Sequence, residues 1–257
     1  MPDVHRNADL PPGPGRVTVY DGSGDAEVGV SLDLVRLAAG QQHTWHSATD
    51  EAALVVLSGK GRLRSAGQSL PFARSRWVSE APCVAHAPAD SPVGVEAEGA
   101  TEVILVRTPN PARFAPRLLG ASSIRIEQRG EGRLEGAAHR IVRTAFDASD
   151  SPLESRLVVG EVVAFQGRWS SYPPHHHPQP ELYFYRFDPP QGYGHAECGE
   201  AVYKVRGNDV LRIAPGKDHA QCAAPGYAMY YLWAVRHLEG ARYAGFEVSP
   251  AHAWTLA

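Results

Sequence analysis

The chain has 257 residues, enough for one large β domain or for two domains of roughly 125 residues each. Apolar residues make up 43% and charged residues 21%, so the chain can bury a core and is not a disordered polymer. A net charge of −3 provides no basic surface for nucleic acid or anionic lipid. No targeting or membrane-spanning pattern is visible, and Cys83, Cys198 and Cys222 are too scattered for a disulfide framework, so we expect a cytoplasmic protein.

Short runs of β-branched residues, bounded by Gly, Pro, Asp or Ser, recur through the first half of the chain. They predict strands at residues 17–20, 28–32, 53–57 and 103–106. The two glycines in residues 58–61 (SGKG) predict a hairpin between residues 55 and 63. Only residues 112–119 could hold a short helix. The sequence therefore predicts an all-β protein.

The second half repeats this style, with predicted strands at residues 157–165, 182–187, 201–205, 209–213 and 228–235. Residues 108–122 carry three prolines and interrupt the β pattern, which indicates a connector. Both halves follow the order strand, histidine-containing turn, acid, strand, glycine turn. We therefore predict an N-terminal domain at residues 1–107, the connector, and a C-terminal domain at residues 123–257.

The second half also contains a group of candidate metal ligands. If residues 174–177 enter a strand, His175 and His177 share one face and His176 points the other way. Glu181 follows at the start of the next predicted strand, and His219 follows a Pro-Gly turn. Three imidazoles and one carboxylate suit a divalent transition metal such as Zn, Mn or Fe. Each histidine alone could instead be a turn or surface residue, and the combined spacing favours a metal site.

The first half has only a degenerate counterpart of this pattern. His43 and His46 are three residues apart, so their side chains would face opposite sides of a strand. Glu51 and His86 complete the set. We therefore expect the N-terminal domain to be a scaffold without metal.

Three segments of the second half carry a family resemblance: residues 169–175 (WSSYPPH), 185–192 (YRFDPPQG) and 224–227 (APGY), the last followed by residues 230–232 (YYL). They resemble the 5-deoxy-glucuronate isomerase family of inositol catabolism, and the ligand pattern resembles the cupin superfamily. The resemblance implies two cupin-type double-stranded β-barrels in one chain, a bicupin. It also implies one divalent metal bound by His175, His177, Glu181 and His219.

The activity implied by the resemblance is the aldose–ketose isomerisation of 5-deoxy-glucuronate to 2-deoxy-5-keto-gluconate. Such a reaction needs a base that moves a proton between two carbons, and Glu200 and Tyr183 are the candidates. The substrate's carboxylate needs a cation, for which Arg186 and Lys204 in predicted strands are the candidates. The expected partner is therefore a small sugar acid, and the sequence leaves open whether the chain assembles with copies of itself.

The chain departs from the family pattern near the expected site. The loop from His177 to Glu181 is short and proline-rich instead of long and acidic, and the tail at residues 233–237 differs from the usual ending. His176 stands where members usually have Lys, and Ala228 stands where an Asp commonly follows Pro-Gly-Tyr. Two alternatives therefore remain open. One is another metal-dependent cupin enzyme, such as an Fe(II) dioxygenase, and the other is a non-catalytic bicupin that binds a sugar acid.

Overall fold

The structure, a computed structural model, describes residues 3–256, and most of its regular structure is extended. The all-β class predicted from the sequence is confirmed. The strands are β1 Val4–His5, β2 Gly15–Tyr20, β3 Ser31–Leu37, β4 Gln42–Trp45, β5 Asp50–Ser65, β6 Gln68–Arg74, β7 Val84–Ala87, β8 Val93–Ala97, β9 Thr101–Pro109, β10 Arg117–Leu119, β11 Arg125–Arg129, β12 Arg140–Phe146, β13 Leu157–Ala164, β14 Trp169–His176, β15 Glu181–Asp188, β16 Tyr193–Cys198, β17 Ala201–Arg206, β18 Val210–Ile213, β19 His219–Ala223, β20 Ala228–Arg236 and β21 Glu247–Val248.

Helical structure is confined to short 3-10 helices at Gly22–Gly24, Ala121–Ser123, Leu134–Gly136 and Pro250–Leu256. Within residues 3–256, no helix has the length and apolar content needed to cross a membrane. The helix considered for residues 112–119 is wrong, because residues 110–116 form no regular element and β10 follows them. β10 is extended because it pairs with β7, a tertiary contact that the local sequence does not reveal.

Two glycines mark a bend inside one long strand. The hairpin predicted for residues 55–63 is wrong, since β5 continues through this segment. The first part of β5 pairs with β7 and β9, and its second part pairs with β6 and β8. Gly59 has a φ of 115°, and a Cβ at Gly61 would lie 1.9 Å from the Glu96 backbone oxygen. The glycines therefore permit a bend and a close strand approach where the sequence signal suggested a chain reversal.

Residues 9–125 and 145–158 form one compact unit, here called the N-terminal unit. Its nine-stranded sheet has the order β10-β7-β5-β9-β3-β2, with β4, β6 and β8 paired outside this path. Leu54, Val56 and Leu105 are fully buried in its apolar core.

Residues 3–8, 126–144 and 159–256 form the second unit, here called the C-terminal unit. It contains a seven-stranded sheet of order β1-β18-β15-β20-β13-β12-β11 and a five-stranded sheet of order β17-β16-β19-β14-β21. Tyr183 and Tyr185 of β15 and Tyr231 of β20 are buried on one face, as the two-residue period of a strand requires. The candidate metal ligands lie where β14 ends and where β15 and β19 begin.

These units differ from the sequence-based domain bounds in three segments. The N-terminal residues belong to the C-terminal unit, because β1 pairs with β18 and Arg6 Nη1 lies 2.6 Å from Asp209 Oδ2. Residues 145–158 belong to the N-terminal unit, where Ser155 Oγ lies 2.6 Å from Glu51 Oε1. The expected connector at residues 108–122 is also part of the N-terminal unit. The sequence patterns predicted two domains, each made of consecutive residues. Long-range contacts instead place the N-terminal residues with the second half of the chain and residues 145–158 with the first half.

Candidate metal site and its surroundings

The alternation of β14 separates the three consecutive histidines. His175 and His177 are buried, and His176 is partly exposed with its Nδ1 2.7 Å from Asp218 Oδ1. The prediction that His175 and His177 share a face while His176 faces away is confirmed. The outward histidine therefore has its own polar partner and leaves the other two to the interior.

Three predicted ligands meet at one point. Glu181 Oε2 lies 3.2 Å from His177 Nε2 and 3.4 Å from His219 Nε2. One candidate ligand atom from each of these residues lies within 4.8 Å of the other two. The exposed fractions are 4% for His177, 4% for Glu181 and 1% for His219. A carboxylate oxygen enclosed by two imidazole nitrogens forms a donor set that suits a divalent transition metal.

His175 is adjacent to this group but stands outside it. Its ring centroid lies 4.5 Å from that of His219, and the two residues face each other across β14 and β19. Three of the four predicted ligands, His177, Glu181 and His219, therefore lie together, and the fourth, His175, lies beside them.

The hydrogen bonds of two histidines fix the tautomer that metal binding requires. His175 Nδ1 lies 3.1 Å from the Pro173 backbone oxygen, and His219 Nδ1 lies 3.1 Å from the Lys217 backbone oxygen. A carbonyl oxygen only accepts, so each Nδ1 carries the proton and each Nε2 keeps its lone pair. Among the described residues, His219 Nε2 makes no hydrogen bond although it is buried.

Burial keeps these imidazoles neutral. Desolvation is the main cause that lowers the pKa of His175 to about 4 and the pKa of His219 well below its usual value. Neutral imidazoles with free Nε2 atoms are the form that binds a metal, so the residues present fit the metal that the sequence implies.

Tyrosines line the interior beside the metal-ligand group. The Tyr183 ring centroid lies 5.8 Å from that of His219, and its hydroxyl lies 3.2 Å from Ser171 Oγ. Tyr231 stacks on Tyr183 at 4.4 Å, and its hydroxyl lies 3.0 Å from the same serine oxygen. Burial, followed by the charge of Glu181, raises the pKa of Tyr183 well above its usual value. Tyr183 is therefore a protonated hydroxyl that can donate a hydrogen bond to a ligand.

The structure does not bring Glu200, the other candidate base, to this group. Glu200 is exposed in the two-residue turn between β16 and β17. No contact among the described residues links its side chain to the buried ligands.

The two predicted carboxylate-binding cations also lie away from the group. Arg186 is on the face of β15 opposite Tyr183, and its guanidinium carbon lies 5.2 Å from the Phe184 ring centroid. Lys204 is exposed, with Nζ 3.9 Å from the Tyr193 ring centroid. Strand alternation alone could not tell which face of these strands was the interior one.

Sequence reasoning missed a buried cation, Arg140, at the start of β12. Its side chain is buried within the C-terminal unit, where the residue is 8% exposed. Two arginines within the mostly apolar run of residues 140–146 (RIVRTAF) were the available signal, because a charged residue in a buried strand needs a partner.

Residues 238–249, here called the strap, cover the histidines. The Tyr243 ring centroid lies 4.9 Å from that of His177, and the Phe246 ring centroid lies 4.1 Å from that of His175. The strap ends in β21, which pairs with β14 at His175 and His176. Sequence reasoning did not assign a role to this segment, since only tertiary pairing brings it to the ligands.

The histidines of the N-terminal unit are arranged differently. Glu51 and His86 form a fully buried pair, with 2.7 Å between Glu51 Oε1 and His86 Nε2. His43 is partly buried on β4, and His46 is exposed with Nε2 3.9 Å from Asp90 Oδ1. Burial lowers the pKa of His43. The sequence pattern that placed these four residues in one set therefore corresponds to a pair and two separate side chains.

Comparisons with known proteins agree on one family. A sequence model of the KduI/IolB family matches residues 13–255. The chain is 29% identical over 249 residues to the 5-deoxy-glucuronate isomerase of Geobacillus kaustophilus strain HTA426, covering 88% of this chain and 86% of the relative. It is 26% identical over 248 residues to the 5-deoxy-glucuronate isomerase of Bacillus subtilis strain 168, covering 88% of each chain.

Solved structures show the same fold. An IolB-like protein of Salmonella typhimurium LT2 superposes with a TM-score of 0.87 at 22% identity, and each chain is covered fully. Bacillus subtilis oxalate decarboxylase superposes with a TM-score of 0.63 at 13% identity, covering 93% of this chain and 76% of that one. At these identities the likeness concerns the fold alone, and it confirms the predicted all-β cupin fold.

Proposed function

Because this chain belongs to the KduI/IolB family, we propose that it is a metal-dependent aldose–ketose isomerase that converts 5-deoxy-glucuronate to 2-deoxy-5-keto-gluconate in inositol catabolism. The observation that carries the proposal is the buried group formed by His177, Glu181 and His219 at the junction of three strands. The names of the curated relatives support the reaction, since each is a 5-deoxy-glucuronate isomerase.

Within this proposal, the metal is held by His177, Glu181 and His219, with His175 as the fourth ligand. The Nδ1 hydrogen bonds of His175 and His219 support this assignment, because they leave Nε2 of both rings available. A bound Zn, Mn or Fe ion would supply Lewis acidity, which makes the hydrogen next to a carbonyl group easier to remove.

The reaction itself needs no oxidant and no co-reactant. The hydrogen on the hydroxyl-bearing carbon leaves as a proton, and its electron pair forms an enediolate. A proton returns to the former aldehyde carbon, and the hydroxyl proton passes to the former aldehyde oxygen, so the atoms balance. Tyr183 is the described side chain best placed to take part, because its protonated hydroxyl lies in the interior beside His219. Its high pKa suits it to donate a hydrogen bond or proton to an oxygen of the substrate.

Burial of the site suits such chemistry. The strap packs over the ligands, since Tyr243 and Phe246 lie against His177 and His175. Exclusion of water strengthens electrostatic contacts to charge that develops during the reaction. The proposed setting is the cytoplasm, where thiols such as the free Cys83 and Cys198 remain reduced.

The direct experiment follows the reaction in D2O by NMR, with protein loaded separately with Zn, Mn or Fe. We expect 5-deoxy-glucuronate to become the ketose, with solvent deuterium on the carbon that receives the proton. Oxygen consumption is recorded in parallel, because an Fe(II) dioxygenase would consume O2 and form no isomer. Absence of isomer with all three metals would contradict the proposal.

A further inference from the structure

β12 carries two buried arginines that differ in their partners. Arg140 is 8% exposed and Arg143 is 2% exposed. Arg143 Nη1 lies 2.8 Å from Glu161 Oε1, which neutralises its charge. Arg140 has no carboxylate within ion-pair distance among residues 3–256, and its guanidinium donates to two backbone oxygens, those of Ala138 at 2.8 Å and Tyr172 at 3.0 Å.

Burying a guanidinium without a counter-charge carries an unfavourable desolvation free energy. Arginine stays protonated in proteins, so it cannot reduce this free energy by becoming neutral. Backbone oxygens satisfy some of its N–H groups, but they carry no net charge. The contrast with Arg143 on the same strand indicates that Arg140 receives its anion from outside the protein.

The guanidinium of Arg140 lies near the candidate metal site. Its partner oxygen belongs to Tyr172, three residues before His175 on β14. Burial is the main cause that lowers the pKa of Arg140, and Tyr231 and Tyr183 are among the groups close enough to act on it electrostatically. The guanidinium is therefore bound to the strand that carries His175, on the same unit as the tyrosines beside His219.

We infer that Arg140 binds the carboxylate of a sugar-acid ligand and selects acids over neutral sugars at this site. The inference rests on the proposed function for its substrate and identifies the residue that recognises it. A guanidinium fork can hold a carboxylate through two parallel hydrogen bonds, which an ammonium group cannot reproduce. Arg140 takes the role that the sequence suggested for Arg186 and Lys204, which lie elsewhere.

The test compares the variants Arg140→Met and Arg140→Lys with wild type in two assays. Steady-state kinetics use 5-deoxy-glucuronate and its neutral primary amide. Calorimetry uses D-glucuronate as the acidic probe and D-glucose as the neutral probe, both with metal-free protein so that binding is measured without turnover.

For Arg140→Met we expect KM for the acid to rise roughly 10- to 100-fold, the range for a hydrogen bond between charged groups, while kcat and the KM for the amide change little. Glucuronate affinity should fall in parallel, and Arg140→Lys should lie between the two proteins.

Arg206→Met serves as the matched control, because it removes an exposed cation of the same unit and should leave both KM values unchanged. An Arg140→Met protein that keeps wild-type KM and wild-type glucuronate affinity would overturn the inference. If Arg140→Met does not fold, Arg140→Lys decides, since wild-type KM in that variant would exclude the guanidinium fork. A wild type that isomerises nothing would contradict the proposed function alone, because glucuronate binding with and without Arg140 still tests the anion site.

Discussion

Glu51 and His86 lie 2.7 Å apart between Oε1 and Nε2, and both side chains are fully buried in the N-terminal unit. Arg117 Nη2 lies 3.0 Å from His86 Nδ1, and since arginine can only donate, Nδ1 accepts and Nε2 carries the proton. His86 is therefore a neutral imidazole that donates to an ionised Glu51. Asn110 and Ser155 also donate to Glu51, at 2.7 Å and 2.6 Å.

The first prediction concerns the strength of this pair. His86→Ala removes a donor and leaves the Glu51 carboxylate buried with fewer partners, so the free energy of unfolding should fall by about 3–5 kcal/mol. Denaturant unfolding measures the change. His46→Ala is the control, since the exposed His46 should alter the stability by less than about 0.5 kcal/mol. An equal effect of both variants would show that the buried pair contributes nothing specific.

The second prediction concerns acid. Burial lowers the pKa of His86, and contacts from His86, Arg156 and Ser155 outweigh burial to lower the pKa of Glu51. Below about pH 6.5 the unfolded state binds more protons at His86, so stability should decrease as pH falls, by up to about 1.4 kcal/mol per pH unit for one proton. Below about pH 4.3 Glu51 adds a loss of the same sign. His86→Phe should flatten the slope between pH 6.5 and pH 5, and an unchanged slope would exclude His86 as its source.

The third prediction is that the histidines of the N-terminal unit do not bind the metal. His43 and His46 belong to the N-terminal unit and do not share a site with Glu51 and His86. A double variant, His43→Ala with His46→Ala, should keep the metal content and turnover of the wild type. Loss of half of the bound metal in this protein would reveal a second site.

The positions of the metal-ligand candidates could be predicted because each depends on local rules. Alternation along β14 placed His175 and His177 on one face, and the Pro-Gly turn marked the approach to His219. The spacing of Glu181 placed it at the start of the next strand. These features repeat every two residues or occupy a few adjacent positions, so they can be recognised in a single sequence.

The cation and the strap could not be predicted in the same way. Arg140 lies in β12, a strand that the sequence analysis did not predict, and its burial depends on how the folded unit packs. Tyr243 and Phe246 reach the histidines through the pairing of β21 with β14, more than 60 residues away in the chain. Gly59 also could not be interpreted from the sequence alone. Glycine permits a bend within a strand as readily as a chain reversal, so the predicted hairpin was a bend in β5.

The fourth prediction tests Tyr183. Tyr183→Phe removes the hydroxyl near Ser171 and keeps the ring that stacks on Tyr231. Turnover should fall roughly 10²- to 10⁴-fold, the range for a positioned acid or base, while metal content and KM change little. Tyr172→Phe is the control, because Tyr172 is partly exposed on β14 and should retain full turnover. Normal turnover in Tyr183→Phe would exclude a proton-transfer role for this hydroxyl.

The central claim is that buried histidines and Glu181 bind one transition metal, and His176 supplies a control adjacent to the ligands. Elemental analysis after purification without chelators should find close to one metal per chain in the wild type and in His176→Ala. His177→Ala should contain almost none, because it removes a ligand whose Nε2 lies 3.2 Å from Glu181 Oε2. Full metal occupancy in His177→Ala would contradict the assignment.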